Sequence, residues 1–442
     1  MAKKIFIYII GFLSLLIIFW FWGINSGPDL WADPASQLIA WGRLAGLLAA
    51  YFVLLQLMFI GRQKWLERSF GLDRLAEVHH LNGILSMAFI IAHPILLCLG
   101  YGALSGRNAF AQLGRFLSNW EGMVAALVAT VLFAVIVAIS LAAAKKHFKY
   151  EVWYAVHLLS YLAIILAFSH QLETGSDLPN IFFAAYWNLL YILVGGSLVY
   201  SRFLRPLYYL WRYRFRIEKV VAENDDNVSI YISGRQIENF SVQPGQFFLV
   251  RFLTKKYLFE AHPFSLSSVP GEKYLRFTIK ALGDFTTGLQ GKVKPGDLVF
   301  LDGPHGLFTP HCCLSNKVAY IAGGVGVTPI RSVAEYFLTE KDAILLYANQ
   351  RPQDIIFAAE LADLISRPGA RLRLVSILAE GAIAPAESGR VDEEKIRRLI
   401  PDYLERDFYL CGPPAMRLSL VKTLRSLGVK ARAIHFEKFS WH

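Results

Sequence analysis

Six long apolar runs occupy the first 204 residues, whereas the rest of the chain alternates short apolar and polar stretches. Each run approaches or reaches the roughly 17–25 residues that a helix needs to cross a bilayer. The runs lie at 5–22, 38–60, 81–99, 123–144, 152–170 and 181–200. This pattern predicts a bundle of six membrane-spanning helices followed by a soluble region.

Lysine and arginine residues at the ends of the runs predict how the bundle is oriented. Those on one side of the membrane are Lys3, Lys4, Arg62, Lys64, Arg68, Arg74, Lys145, Lys146, Lys149, Arg202, Arg205 and Arg212. The opposite loops are acidic, with Arg107 and Arg115 as exceptions, so both termini are predicted to be cytoplasmic. The first run resembles a signal peptide but lacks a small-residue cleavage site, and we expect it to be a retained anchor.

The soluble region changes pattern once along its length. After Pro206, short alternating stretches with Gly and Pro turns predict a small antiparallel β-barrel. From Lys317 onward, strands alternate with helical stretches, which predicts a parallel α/β sheet of the dinucleotide-binding type. The predicted domains are therefore a membrane bundle at 1–205, a barrel at 211–310 and an α/β domain at 316–442.

Composition excludes several classes of function. The net charge of +11 would suit nucleic acid, but much of it sits at the ends of the apolar runs, so no nucleic-acid partner is expected. The four cysteines form no C-x-x-C pair, which argues against disulfides and zinc sites. The chain has no calcium loop of the D-x-[DN]-x-[DN]-G kind, so calcium control is not indicated.

Four histidines are the main candidates for chemistry in the membrane region. His79 and His93 are 14 residues apart on the third run, and His157 and His170 are 13 apart on the fifth. Both spacings correspond to about 20 Å of helix rise. Ionisable side chains inside a bilayer mark functional sites, although an interhelical hydrogen bond is the alternative role for each histidine. The repeated spacing is compatible with two haems, one above the other, each held from both sides.

The level and phase of these histidines give finer expectations. Because the third and fifth runs cross in the same direction, His79 and His157 are expected at the inner level and His93 and His170 at the outer level. Fourteen residues keep His93 near the face of His79, whereas thirteen take His170 off the face of His157 and predict a bulge or a rotated haem. His80 is a rival ligand to His79. We prefer His79 because Gly83, one turn later, would leave room for a porphyrin.

Arg43 is a further charge within an apolar run. It either snorkels to the interface or pairs with a propionate of the outer haem and attracts an anionic or polarisable acceptor. His147, in a basic inner loop, is expected to be a solvated residue.

Two motifs in the soluble region are typical of nucleotide chemistry. AGGVGVTPI (322–330) follows a strand and opens a helix, which lets backbone N–H groups approach a pyrophosphate. HPFSLSS (262–268) offers an imidazole, hydroxyls and amides along an extended edge that suits a flavin.

Seven blocks in order resemble the ferredoxin–NADP reductase family, in its ferric reductase and NADPH oxidase branch. They are QPGQF (243–247), HPFSLSS (262–268), KALGDFTTGL (280–289), DGPHGLF (302–308), AGGVGVTPI (322–330), YANQRPQDIIF (347–357) and LCGPPAM (410–416). The membrane half resembles the ferric-reductase-like transmembrane domain in its VHH…HP and WYAVH…H segments.

The resemblance implies FAD, two b-type haems and NADPH or NADH as cofactors, with assigned residues. His79, His93, His157 and His170 would ligate the haem irons. Ser265 would donate to the flavin N5, and Thr286 and Thr287 would meet the FAD phosphates. The implied FAD and nucleotide set is His262, Pro263, Phe264, Ser265, Ser267, Ser268, Lys280, Gly283, Thr286, Thr287, Gly323, Gly324, Gly326, Thr328, Pro329, Arg351, Cys411, Gly412 and Pro413.

Three of the implied residues carry specific roles. Cys411 would border the nicotinamide, and Trp441 (or Phe439) would shield the flavin. Arg351 follows the second strand of the sheet, where it could contact a 2′-phosphate bidentately, which favours NADPH over NADH.

The predicted function is transfer of electrons from cytoplasmic NAD(P)H, through FAD and two haems, to an acceptor outside a bacterial inner or plasma membrane. Oxygen, giving superoxide, is favoured because Arg43 matches an arginine of NADPH oxidases, although Leu97 replaces a histidine that those oxidases often carry. The alternative is a ferric or cupric chelate, attracted by acidic outer loops around Asp29, Asp33, Glu173 and Asp177. A haem-based sensor or transporter is a remote alternative. Membrane lipid is the expected environment, and accessory subunits are not required.

Overall fold

The chain is described from a computed structural model that covers residues 2–144, 150–255, 257–258, 260–381 and 384–437. It divides into two compact units that meet in sequence between Arg202 and Phe203. The expectations for Trp441 and Phe439, and for the basic loop with His147, Lys145, Lys146 and Lys149, lie outside the described residues.

The first unit is entirely helical over its described residues. Its helices are α1 (Ala2–Ser26), α2 (Pro34–Ile60), α3 (Lys64–Phe70), α4 (Leu72–Leu104), α5 (Ala109–Asn119), α6 (Met123–Ala144), α7 (Tyr150–Thr174) and α8 (Ile181–Val199). The carboxylate of Asp33 caps α2 by accepting from the amides of Ala35 and Ser36, at 2.9 and 3.1 Å. This cap satisfies two donors that would otherwise be orphaned at the start of the helix.

Among the described residues, six helices are long and apolar enough to cross a membrane, as predicted. Their bounds are Lys3–Ser26, Pro34–Ile60, Leu72–Leu104, Met123–Ala142, Val152–Thr174 and Ile181–Tyr213. The last of these runs through α8, a π-helical segment at Tyr200–Leu204 and α9 (Arg205–Tyr213), which belongs to the second unit. There the buried Arg205 places its Nη2 3.6 Å from Oδ1 of Asp302.

The predicted barrel consists of two three-stranded antiparallel sheets. Its elements are β1 (Arg216–Asn224), β2 (Asn227–Ser233), β3 (Phe247–Phe252), β4 (His262–Ser265), β5 (Leu275–Lys280), α10 (Leu289–Lys292) and β6 (Val299–His305). The strand orders are β1-β2-β5 and β4-β3-β6. A bridge between Leu266 and Phe277 links the two sheets, around a core that includes Phe248 and Phe252.

The predicted α/β domain contains a parallel sheet of order β10-β9-β8-β7-β11-β12. Its strands are β7 (Lys317–Gly323), β8 (Asp342–Asn349), β9 (Leu372–Leu378), β10 (Glu387–Ser388), β11 (Asp407–Cys411) and β12 (Ile434–Phe436). Its helices are α11 (Val327–Tyr336), α12 (Ala358–Ser366), α13 (Glu393–Leu399) and α14 (Pro414–Ser426).

The helix expected from Pro352 begins later, at Ala358. Residues Pro352–Asp354 instead form a single 3-10 turn. The Asp354 carboxylate accepts from the Arg351 amide at 3.0 Å and closes this turn.

Candidate functional site

Two pairs of histidine rings face each other between α4 and α7. The ring centres of His79 and His157 are 6.1 Å apart, and those of His93 and His170 are 6.5 Å apart. A metal–imidazole bond is about 2 Å long, so two imidazoles on opposite sides of one metal ion have ring centres about 6 Å apart. Both pairs therefore have the spacing that axial ligation of one iron requires.

The imidazoles on α4 are oriented by main-chain carbonyls of α2. Nδ1 of His93 lies 2.8 Å from the Gly42 carbonyl oxygen, and Nδ1 of His79 lies 3.3 Å from that of Gln56. Since a carbonyl oxygen only accepts, Nδ1 carries the proton in both rings. This leaves the Nε2 lone pair free for a metal.

The imidazoles on α7 reach the same state through hydroxyl groups. Nδ1 of His157 is 3.4 Å from Oγ of Ser140, and Nδ1 of His170 is 3.0 Å from Oγ1 of Thr174. Both hydroxyls donate their own protons to main-chain carbonyls four residues earlier, and Ser140 also accepts from Nε1 of Trp153. Their oxygens are thus acceptors for the imidazole protons.

The donor set fits haem better than a bare metal ion. Among the described residues, no group of three or more His, Cys, Asp or Glu side chains is placed to hold a metal. A pair of imidazoles supplies two ligands, so the iron must bring the others, and a porphyrin brings four nitrogens. His80, the rival to His79, is exposed.

Two expectations about the surroundings of the histidines need correction. Of the bulge or rotated haem expected at His170, the bulge is absent, because α7 is regular α-helix throughout Tyr150–Thr174, and a rotated haem stays a prediction. The space beside Gly83 is filled by the side chain of Gln56, whose Nε2 would lie 2.7 Å from a Cβ at that position.

Gly46 makes room for the imidazole of His93. This role of Gly46 was not predicted from the sequence. A Cβ on Gly46 would lie 2.6 Å from Nδ1 of His93. Glycine is therefore required here for His93 to reach the Gly42 carbonyl, although a glycine within an apolar run carries no such signal by itself.

Arg43 lies next to Gly42 and therefore near the level of His93. Its Nη1 is 3.6 Å from Oδ2 of Asp29 and 3.3 Å from Oγ of Ser26, and its Nη2 donates to the Tyr101 hydroxyl at 3.3 Å. The guanidinium is one-quarter exposed. It is thus held by groups of α1, of α4 and of the turn before α2 rather than extended freely into solvent.

The candidate flavin strand is β4. Ser265 pairs with Phe247 of β3, and Ser265, Ser267 and Ser268 are buried. The ring centre of His262 is 3.9 Å from that of Phe285. Burial lowers the pKa of the His262 imidazole. The Glu260 carboxylate, 3.7 Å away, raises this pKa but offsets the effect of burial only in part. The imidazole is therefore neutral at physiological pH.

The predicted phosphate loop after β5 is closed by a threonine. Oγ1 of Thr286 accepts from the amides of Leu282 and Gly283, at 2.9 and 3.1 Å. The Thr287 amide donates to the Gly283 carbonyl at 2.8 Å. Lys280 ends β5 immediately before this loop.

The candidate nucleotide loops lie at the carboxyl ends of the neighbouring strands β7 and β11. A Cβ on Gly326 would lie 2.4 Å from the Cys411 carbonyl oxygen, and one on Gly412 would lie 3.1 Å from the Gly323 amide nitrogen. Both glycines are needed for this backbone contact. Thus AGGVGVTPI and LCGPPAM lie together at the edge of the sheet where α/β folds bind nucleotides, which makes them one candidate site.

The remaining predicted residues of this site differ in accessibility. Thr328 is buried and donates to the Val325 carbonyl at 2.9 Å, and Pro329 follows it inside α11. Arg351 is exposed and lies 3.3 Å from Asp354. Its guanidinium is free to reach a ligand at the end of β8 if it leaves that carboxylate.

Glu437 is a candidate residue that sequence reasoning missed. A Cβ on Gly306 would lie 2.1 Å from its Oε1, so its carboxylate lies against the DGPHGLF loop. Burial raises the pKa of the Cys411 thiol well above its ordinary value, and the nearby Glu437 carboxylate adds to this effect. Cys411 is therefore a neutral thiol that borders the site rather than a nucleophile.

Comparison with known families accounts for both halves of the chain. Residues 45–168 match the family described as ferric reductase like transmembrane component. Residues 212–308 match an FAD-binding domain, and residues 320–422 match an oxidoreductase NAD-binding domain.

Individual relatives match about half of the chain. The NADPH oxidoreductase of Mycobacterium tuberculosis is 29% identical over 54% of this chain and 63% of its own length. The glycine betaine monooxygenase reductase subunit of Chromohalobacter salexigens is 29% identical over 52% of this chain and 64% of its own length. This chain thus covers less than two thirds of either relative.

Among solved structures, the chain is similar to the flavohem-like FAD/NAD-binding domain of nitric oxide dioxygenase from Vibrio cholerae. The identity is 25% over 50% of this chain and 96% of that chain, with a TM-score of 0.46. From the three family matches, the protein is a membrane oxidoreductase in which a ferric-reductase-like transmembrane component is fused to FAD-binding and NAD-binding domains of the ferredoxin–NADP reductase type.

Proposed function

We propose that this protein transfers electrons from NAD(P)H, through FAD and two b-type haems, across the membrane to an acceptor on the opposite side. The observation that supports this best is the pair of ring distances, 6.1 Å for His79 and His157 and 6.5 Å for His93 and His170. FAD, when bound, converts the two-electron donation of NAD(P)H into the single electrons that haem iron accepts.

The chain's own residues hold these groups in place. In the bundle, all four imidazoles keep their protons on Nδ1 and present Nε2. In the soluble unit, Ser265 and its neighbours on β4 would line the flavin, and the glycine loops around Gly326 and Gly412 would hold the dinucleotide. Neutral Cys411 and the Glu437 carboxylate border the region where these two sites meet.

The orientation we propose places both termini in the cytoplasm of a bacterium. The basic residues at the ends of the spans support this assignment. NAD(P)H is then drawn from the cytoplasm, and the pair of His93 and His170 lies on the outer side. Arg351, exposed at the end of β8, supports NADPH as the donor over NADH.

Oxygen is the acceptor we favour, with superoxide as the product. The two pairs of histidines would hold the haems, which transfer single electrons when bound, and would leave no iron position open to the acceptor. Arg43 lies near the level of His93, where it supports a small anionic product. Acidic outer loops would instead attract a cationic metal chelate, but one of their carboxylates, Asp177, is buried and accepts from the Asn25 side chain at 2.8 Å.

An absorbance spectrum of the purified full-length protein tests the proposal. We expect two haems per FAD, reduced by NADPH under anaerobic conditions after the flavin. His93→Ala is expected to remove one haem, whereas His80→Ala, the matched control, is expected to retain both. Fewer than two haems in the unmodified protein would contradict the proposal.

Reduction of cytochrome c with and without superoxide dismutase tests the acceptor. We expect the dismutase to suppress most of the NADPH-driven reduction. Complete insensitivity, together with NADPH-driven reduction of a ferric chelate, would favour the metalloreductase instead.

A further inference from the structure

Arg276, Arg331 and Glu360 form an ionic cluster between the barrel and the α/β domain, which we call the clasp. Nη1 and Nη2 of Arg276 donate to the two carboxylate oxygens of Glu360, at 2.6 and 3.0 Å. Nε of Arg331 donates to Oε2 of the same carboxylate at 2.8 Å. One carboxylate of α12 therefore binds a guanidinium from β5 and another from α11.

The two arginines reach in opposite directions across the domain boundary. Arg276 belongs to the barrel, but its guanidinium lies 4.4 Å from the ring centre of Phe357, immediately before α12. Arg331 belongs to the α/β domain, but its Nη1 donates to the Ser267 carbonyl of the barrel at 2.7 Å. Nη2 of Arg276 donates to the same carbonyl at 3.0 Å.

The two arginines of the clasp therefore form hydrogen bonds just beyond the end of the candidate flavin strand. Ser267 is two residues beyond Ser265, and the next residue, Ser268, is also held from the other domain. Its carbonyl accepts from Oγ of Ser332 at 2.6 Å. Three donors on two neighbouring elements thus fix the main chain of HPFSLSS.

Helix α11 connects these hydrogen bonds with the candidate nucleotide site. It begins at Val327, directly after the glycine turn Gly324–Gly326, and Arg331 and Ser332 lie one to two turns further along. A single short helix thus follows the candidate pyrophosphate loop at its start and contacts the candidate flavin strand from its middle.

The energetics of buried ion pairs indicate that the clasp positions the main chain rather than only stabilising the fold. The guanidiniums of Arg276 and Arg331 are almost fully buried, whereas Glu360 is one-third exposed at the rim. Buried ion pairs are often no more stabilising than apolar side chains of the same volume, but the fork of an arginine fixes its partner in position as well as in charge.

The charge state of the clasp is constant near neutrality. Burial alone would raise the pKa of Glu360, but hydrogen bonds and charge from Arg276 and Arg331 together lower it below its ordinary value. The carboxylate is therefore ionised throughout the physiological range.

We infer that the clasp sets the distance between the flavin strand and the nucleotide loop, and that Arg276, Arg331 and Glu360 are positioning residues for hydride transfer. This inference rests on the proposed function, because it requires FAD on β4 and NAD(P)H at the glycine loops. None of the three side chains is assigned a contact with the reacting atoms.

Glu360→Gln in the full-length protein is the direct test, with Glu393→Gln as its control. Glu393 lies on α13, where it forms an exposed pair with Arg397. We expect Glu360→Gln to keep its FAD and its NADP⁺ dissociation constant, while the rate of flavin reduction at saturating NADPH falls by about tenfold or more. The long-wavelength charge-transfer absorbance of stacked flavin and nicotinamide should weaken in parallel. Glu393→Gln should match the unmodified protein in every measurement.

Other results would overturn the inference. A Glu360→Gln rate equal to that of the unmodified protein, or a change in KM alone, would remove the positioning role. If Glu360→Gln does not fold, Arg331→Lys decides, because it keeps the charge and loses the fork; an unaltered rate in that variant overturns the inference. If the unmodified protein shows no flavin reduction by NADPH, the proposed function itself fails, which is a distinguishable result.

Discussion

The four imidazoles differ in which groups accept their Nδ1 protons. His79 and His93 donate to main-chain carbonyls, which no substitution of a side chain removes directly. His157 and His170 donate to the hydroxyls of Ser140 and Thr174. The α7 side of each pair can therefore be altered by changing one oxygen atom.

Thr174→Val replaces that oxygen with a methyl group of similar size. His170 then loses the acceptor that fixes its ring, and we expect the outer haem to dissociate about tenfold faster. Haem transfer to an apoprotein scavenger, followed by absorbance, measures this rate. Thr130→Val is the control, since Thr130 makes the same bond to a carbonyl four residues earlier but touches no histidine ring. Equal rates for both variants would show that the hydroxyl has no such role.

Gly46→Ala tests whether the close approach of α2 to His93 is required. The added methyl would lie 2.6 Å from Nδ1 of His93, so the ring must leave the Gly42 carbonyl. We expect affinity for one of the two haems to fall by about 10–100-fold, measured as haem per FAD. Gly195→Ala should retain both haems, because no neighbouring atom lies within 4 Å of its Cβ position.

At the scale of the element, Asp407 fastens the segment that joins the barrel to the α/β domain. It begins β11 and is buried. Oδ2 accepts from the amides of Leu314 and Ser315, at 2.8 and 2.6 Å, and Oδ1 is 2.9 Å from Nε2 of His435. Burial alone would raise the pKa of Asp407, but these hydrogen bonds together lower it below its ordinary value.

Asp407→Asn is expected to destabilise the soluble unit in a pH-dependent way. Because the folded pKa lies below the unfolded value of about 3.9, the carboxylate stabilises the fold above that pH and loses its effect as the pH falls through the folded pKa. We expect the variant to lose about 2 kcal/mol at neutral pH and to converge with the unmodified protein in acid. Denaturation of the full chain, followed by FAD fluorescence, measures this difference. Glu393→Gln, at an exposed pair on α13, should show no such pH dependence.

Elements with strong periodicity were predictable, and those defined by tertiary contacts were not. The six spans and the main strands follow from apolar runs, and the two-residue β10 and three-residue β12 are too short to give a pattern. The spacing of the histidines predicted two levels, but their partners Gly42, Gln56 and Ser140 depend on how α2 and α6 pack against α4 and α7. Thr174 is four residues from His170 on the same helix. The clasp was not predictable for the same reason, since Arg276 and Glu360 are 84 residues apart.

At the scale of the whole molecule, the proposed path predicts two separable activities. His170→Ala should leave NADPH-driven reduction of ferricyanide unchanged, because that acceptor takes electrons from the flavin. The same variant should lose dismutase-sensitive reduction of cytochrome c, since the outer pair is broken. Loss of both activities would show that the substitution damages the soluble unit, and retention of both would place the exit elsewhere.

The fixed imidazole protons have an electrical consequence. On the proposed path, an electron would pass from the level of His79 to that of His93 while every Nδ1 proton stays hydrogen-bonded inside the bundle. The two levels are 14 residues apart, or about 20 Å along the helix, so each transfer would displace charge through a large part of the bilayer. A full crossing would change the energy by about 2.3 kcal/mol per 100 mV. In the proposed direction an interior-negative voltage would drive the electron outward, and sustained turnover would dissipate that voltage unless cations follow.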